Sequence, residues 1–204
     1  MNIKSFLTTM LCLTVFLGFS QKDLPTDYLK SDFHKDRREQ LRKSMPENSV
    51  AVFFANPIRN RANDVDHVYH QDPNFYYLTG YREANSVLLI FSEEQTSDDG
   101  TFNELIYVQK RDPRSEQWEG IRLGTEGVGS QLGFANAYNG EDFKDIPVDF
   151  STFDKVMFED FKNDVRDNKR DDADLYSLIE QFKTKASYQA TPAIVPADEK
   201  IVEV

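Results

Sequence analysis

Apolar residues recur along this chain with two different periods, and each change of period predicts a change of element. Phe33, Arg37, Leu41 and Met45 fall at four-residue steps after Asp32 and stop at Pro46, which predicts a helix capped by Asp32 and laid on a sheet. His34, Lys35, Arg38 and Glu39 would then form its charged outer face. The segment SVAVFFAN at 49–56 is β-branched and aromatic enough for a buried strand and ends at Pro57. SVLLIFS at 86–92 and ELIYVQK at 104–110 repeat that signal on either side of the loop EEQTSDDGT, and KVMFED from Lys155 is a fourth strand. The helical period returns at Leu175, Leu178, Ile179, Phe182 and Ala186, with Asp171 as the cap and Lys183 and Lys185 at the negative end. Strands interleaved with helices predict one α/β domain, a mixed sheet flanked by helices.

Two stretches depart from this rhythm. Residues 124–142, GTEGVGSQLGFANAYNGED, are rich in glycine and turn formers and predict a connection with room for one short helix around Gln131. No Lys-Ser/Thr opens a helix after those glycines, so the spacing is not that of a phosphate cradle. Residues 67–90, HVYHQDPNFYYLTGYREANSVLLI, hold more pattern than a buried strand requires. Phe75, Tyr76, Tyr77 and Tyr81 bracket Thr79 and Gly80, predicting a packed corner in which Gly80 takes a positive φ and tyrosine hydroxyls reach backbone groups.

Composition narrows the classes. With 204 residues, 39% of them apolar, the chain can bury a core. A formal net charge of −11, without a dense Lys/Arg run, argues against a nucleic-acid partner. Residues 1–20, MNIKSFLTTMLCLTVFLGFS, place Lys4 before an apolar run and small residues at Gly18 and Ser20, which reads as a signal peptide. About fourteen apolar-biased residues are too few to span a bilayer core that needs roughly twenty. The expectation is export to the periplasm or beyond the cell. Cys12, the single cysteine, would leave with that peptide.

The most tempting chemistry is DVDHVYHQD, which puts Asp64, Asp66, His67, His70 and Asp72 within nine residues. A zinc or manganese site needs three or four such groups converging on one point. On a strand, Asp64 and Asp66 point away from His67, and Pro73 is close enough to end a helix, so a polar loop is the better reading. No Gly-x-Ser-x-Gly elbow occurs, so no complete catalytic constellation can be read from the residues alone.

Four stretches taken together resemble a known family. RREQLRKSM, SVAVFFAN, NDVDHVYHQDPNFYYLTGY and SVLLI resemble the N-terminal domain of Xaa-Pro aminopeptidases, of the creatinase and prolidase superfamily, and RDPRSEQWEGIRLG at 111–124 resembles a loop of the same order and position. The resemblance implies a ribonuclease-H-like α/β fold. It also implies a following pita-bread domain in which two Asp, one His and two Glu hold a manganese pair, ligands expected to be missing from this chain. The expected organisation is a signal peptide at 1–20, a leader at 21–31, the N-terminal domain at 32–189, and a tail or linker start at 190–204. By the same resemblance, manganese serves the full-length enzyme and none is bound by this chain. The expected partners are peptides with proline second and either a catalytic domain in cis or neighbouring subunits of a homo-oligomer.

Two residues carry the implied substrate contacts. Trp118, the single tryptophan, matches a family aromatic lining the far end of the substrate pocket, against the alternative of a core or interface tryptophan. Asp64 matches a family aspartate that pairs with an arginine of the catalytic domain, against the alternative of a solvated turn carboxylate. Two other functions stay open: a free-standing peptide-binding or assembly module without hydrolase activity, and a carbohydrate or cell-surface binder.

Overall fold

The computed structural model describes residues 28–97, 100–161 and 172–188; the signal peptide, the tail from 190 and Asp171 lie outside them. Five strands form a mixed sheet: β1 Ser49–Phe54, β4 Val87–Ser97, β5 Gly100–Val108, β6 Ala137–Asn139 and β7 Lys155–Phe158, in the order β6-β5-β4-β1-β7. β4 is antiparallel to both β1 and β5, whereas β7 lies parallel to β1 and β6 parallel to β5. It follows that β1, β5, β6 and β7 all point the same way, and their C-terminal ends share one edge of the sheet.

Alternation along the strands builds a core on each face, because successive side chains of a strand point to opposite sides. Ala51, Phe53, Leu88 and Ile90 pack on one face against helices α1 Ser31–Ser44, α2 Pro73–Thr79 and α4 Gly124–Leu132. Val50, Val52, Leu89 and Phe91 pack on the other against helix α5 Leu175–Lys185 and the 3-10 turns Gly140–Asp145 and Phe150–Thr152. The expected mixed sheet flanked by helices is present as three layers. Phe182 lies at the centre of the second core, edge-on to Phe54, Phe150 and Phe158.

Three local expectations about the helices are corrected. Asp32 lies inside the first turn of α1, and the N-cap position is Lys30 with no side-chain cap bond. The inward face of α1 is His34, Arg38 and Leu41, while Phe33 remains 40% exposed. The apolar count misread that helix because Arg38 is buried as an ion: its Nε and Nη2 donate to Glu104 at 2.8 and 3.0 Å, and its Nη1 donates to the carbonyl of Leu78 at 2.9 Å. The cap of α5 is Asp174, which accepts from the amide of Ser177 at 2.7 Å, in place of the expected Asp171.

The expected connection at 124–142 contains the nine-residue helix α4 and the edge strand β6. Glycine is a poor helix former, but Val128 and Leu132 are fully buried, so packing outweighs propensity there. The expected loop between β4 and β5 is also shorter than the pattern implied. The two strands stay paired out to Ser97 and Gly100, past a register irregularity between Ile90 and Gln95.

Candidate substrate-facing site

Both residues singled out from the sequence sit on connections leaving the same edge of the sheet. After β1 the chain forms a two-stranded ribbon, β2 Asn60–Ala62 and β3 Val65–Asp66, with Asp64 in its turn. Asn63, beside it, has φ +52°. Asp64 is exposed, with no hydrogen-bond partner among the described residues. After β5 the chain makes the single-turn helix α3 Glu116–Glu119, which carries Trp118. The indole is 89% exposed, so the reading of Trp118 as a core residue does not hold within this chain.

The connection bearing Trp118 is braced from within. Arg111 donates to Glu116 through Nε at 2.6 Å and Nη2 at 2.8 Å, and Glu116 Oε1 accepts from the amide of Asp112 at 3.1 Å. The paired guanidinium holds the Glu116 carboxyl below its usual range. Asp112 accepts from the Ser115 hydroxyl at 2.7 Å, which fixes the start of α3. The Arg111 side chain also lies against Gly124, where an added Cβ would meet its Cγ at 2.7 Å and where φ is +59°. An exposed indole on a braced turn loses little conformational entropy when something packs on it.

Between the two connections lies the corner anticipated from the sequence. Asp72 caps α2 by accepting from the amides of Asn74 and Phe75 at 2.9 and 3.0 Å, and Gly80 ends the helix at φ +71°. No Cβ fits at Gly80, because the His34 ring lies 2.6 Å from where one would sit. The aromatics divide: Phe75 and Tyr81 are fully buried, whereas Tyr77 is 46% exposed and edge-on to Phe33. The Tyr81 hydroxyl finds a carboxylate, donating to Glu83 at 2.7 Å.

The pattern offered no signal for Gln71 and Glu83, which join these pieces. Gln71 Oε1 accepts from the amide of Asn56 at 3.0 Å and the Tyr69 hydroxyl at 2.9 Å, while its Nε2 donates to the carbonyl of Glu83 at 2.9 Å. Glu83 Oε1 accepts from the amide of Leu123 at 2.7 Å, where the Trp118 connection returns to the core. Burial raises the Glu83 carboxyl above its ordinary range, against the lowering effect of the Leu123 amide, the Tyr81 hydroxyl and Arg122. In YREANS a carboxylate flanked by polar residues reads as solvated, so only the fold reveals its burial.

The polar run DVDHVYHQD does not converge. Asp72 is spent on its cap, Asp66 accepts from Asn60 at 3.1 Å, and His67 and His70 line a groove of about 450 Å³ with Asn56, Arg59 and Val68. Among the described residues no group of three or more His, Cys, Asp or Glu could hold a metal ion. These residues do not fit a manganese pair.

The fold is thus a three-layer α/β domain that presents an exposed indole and a ribbon carboxylate from one sheet edge. Residues 34–154 match the family model described as "Aminopeptidase P, N-terminal domain", more than half of the chain, and the chain belongs to that family. It is 35% identical over 117 residues to the Xaa-Pro aminopeptidase of Haemophilus influenzae, covering 57% of this chain and 26% of that protein. It is 34% identical over 100 residues to intermediate cleaving peptidase 55 of Schizosaccharomyces pombe, covering 49% of this chain and 20% of that protein. The chain thus spans about a fifth to a quarter of the length of these relatives. Among solved structures, aminopeptidase PepP of Pseudomonas aeruginosa superposes with a TM-score of 0.58 at 30% identity, over 67% of this chain and 30% of that one. Escherichia coli aminopeptidase P in its low-pH form shares the fold, with a TM-score of 0.61 at 21% identity over 85% of this chain and 38% of that one.

Proposed function

We propose that this chain is the non-catalytic, substrate-facing domain of an exported, manganese-dependent Xaa-Pro aminopeptidase, and that Trp118 and Asp64 limit which peptides reach a catalytic centre built by residues outside it. The observation that carries the reading is the 89% exposure of Trp118 on a turn braced by Arg111 and Glu116. A fixed indole offers a flat apolar surface to the part of a peptide beyond its proline. Asp64, at the ribbon turn, offers a carboxylate to a cation from a facing domain or subunit. Manganese would lower the pKa of the attacking water and stabilise the developing oxyanion; its ligands would come from outside this chain, since the described residues do not fit the metal.

The reading is tested in the native polypeptide with Xaa-Pro peptides of increasing length. Trp118→Ala is expected to raise KM about fivefold to thirtyfold for peptides extending past proline, equivalent to roughly 1–2 kcal/mol at a packed aromatic contact. The dipeptide Xaa-Pro should be cleaved as before. Equal KM values for variant and parent on the longer peptides would remove Trp118 from the substrate path.

A second reading, a free-standing peptide-binding or assembly module, draws support from the two apolar cores buried within the described residues. The mass of the native protein separates the two. A product much larger than 23.6 kDa per polypeptide favours the peptidase, and one of that size or smaller favours the module.

A further inference from the structure

Glu83 occupies an uncommon position for a carboxylate. It lies on the segment between the corner and β4, its two oxygens meet two donors from different parts of the chain, and its own carbonyl is held by Gln71. The Leu123 donor is the residue at which the Trp118 connection re-enters the core, and Leu123 itself is 1% exposed. Gln71, through the Asn56 amide and the Tyr69 hydroxyl, ties the same hub to both flanks of the Asp64 ribbon. A further bond, from Gln109 Nε2 to the carbonyl of Ala84 at 2.9 Å, anchors the start of the Trp118 connection to the same segment. Thus the connections carrying Trp118 and Asp64, 54 positions apart in sequence, are tied to one short segment, by Glu83 and Gln109 on one side and by Gln71 on the other.

We propose that Glu83 is a positioning residue that holds the Trp118 connection in register with the Asp64 ribbon, so that both face one peptide. The inference rests on the reading of those two residues as substrate-facing. Its chemistry is a count of donors: the Leu123 N–H and the Tyr81 O–H each donate to one carboxylate oxygen of Glu83. Glutamine in its place can keep the Leu123 N–H on its oxygen and turn its NH2 to the Tyr81 hydroxyl oxygen, so it removes only the charge, whereas alanine removes both acceptors. The groups facing the carboxyl are Tyr81 and Leu123, with Arg122 and Glu116 acting through their charges.

The 204-residue chain has one tryptophan, so its fluorescence reports on the Trp118 connection alone. In Glu83→Ala, hydrogen exchange at the Leu123 amide is expected to accelerate about tenfold to a hundredfold relative to Ile90 in the core, the change that follows from losing a hydrogen bond to a charged acceptor. Steady-state anisotropy of Trp118 should fall at the same time. If Leu123 and Ile90 accelerate in equal proportion with unchanged anisotropy, Glu83 contributes only to general stability and the proposal is overturned. Should Glu83→Ala not fold, Glu83→Gln leaves Leu123 a neutral acceptor in place of a charged one; faster exchange at Leu123 relative to Ile90 is again expected, by a smaller factor, and no relative change overturns the proposal. These readouts do not depend on substrate. An unchanged KM in Trp118→Ala would defeat the substrate-facing reading while the exchange result stood by itself.

Discussion

Burying a guanidinium costs several kcal/mol unless its charge and its donors are all met, and Arg38 meets them at 0% exposure. Glu104 takes two of its bonds and also accepts from Arg42 Nη2 at 3.2 Å, while the ring of Phe134 lies 3.9 Å from its central carbon. Removing Glu104 leaves Arg38 charged and buried without a carboxylate, while Arg42 keeps its pair with Glu39. Glu104→Ala is therefore expected to lower stability by about 3–5 kcal/mol in urea denaturation. A loss below about 1 kcal/mol, the scale of an exposed pair, would mean that water reaches the arginines. Trp118 makes the opposite case at the same scale, because a large apolar group left exposed has no role in this core.

The seven-residue helix α2 is too short to be stable alone, so its two ends must be secured by specific residues. Asp72 secures the first by satisfying two orphan amides, and Gly80 secures the second with a left-handed turn that the His34 ring closes over. Asp72→Ala should cost about 0.5–2 kcal/mol, with Asp72→Asn recovering part of it. Equal stabilities of Asp72→Ala and the parent in chemical denaturation would show that the cap does not hold the corner. The corner was legible in advance, since the Thr-Gly break announces a positive φ at Gly80, but the helix was not: Pro73 reads as ending an element and Asp72 as part of a polar loop. Helix α4 was not legible at its full length, because its stability comes from burying Val128 and Leu132 and its glycine-rich sequence argues for a loop.

For the whole molecule, two buried titratable groups oppose one another in pH. Burial depresses the pKa of His34 below 6.5, despite the bond from its ring to the Tyr77 carbonyl at 2.9 Å. The unfolded chain thus binds more protons than the native one, and this contribution is present above pH 6.5 and lost as pH falls through the depressed value. Glu83 behaves in the reverse sense. Its folded pKa is raised above 4.5, so its contribution is present below that value and is lost as pH rises through the raised one. Melting temperatures followed from pH 4 to pH 8 should show a shallower acid loss below about pH 6.5 in His34→Phe than in the parent. The advantage of the parent over Glu83→Gln should shrink as pH rises from about 4.5. Parallel curves for parent and variant would remove that residue from the pH response.

The same scale separates what the chain alone determined from what the tertiary structure decided. The mixed sheet, four of its five strands, the Gly80 corner and the family were readable, because periods of 2 and 3.6, turn chemistry and motif order are properties of neighbouring residues; the edge strand β6 was not. Asp64 and Trp118 were readable as candidates only through the family resemblance, since local pattern reads one as a turn carboxylate and the other as a core or interface tryptophan. Their exit from one sheet edge was not, since it follows from strand directions that only pairing sets. Nor was the inward face of α1, decided by a carboxylate 66 positions away, or the burial of Glu83 between Tyr81 and Leu123. A charged side chain is placed by the partners that make its burial tolerable, and those partners become neighbours only when the chain has folded.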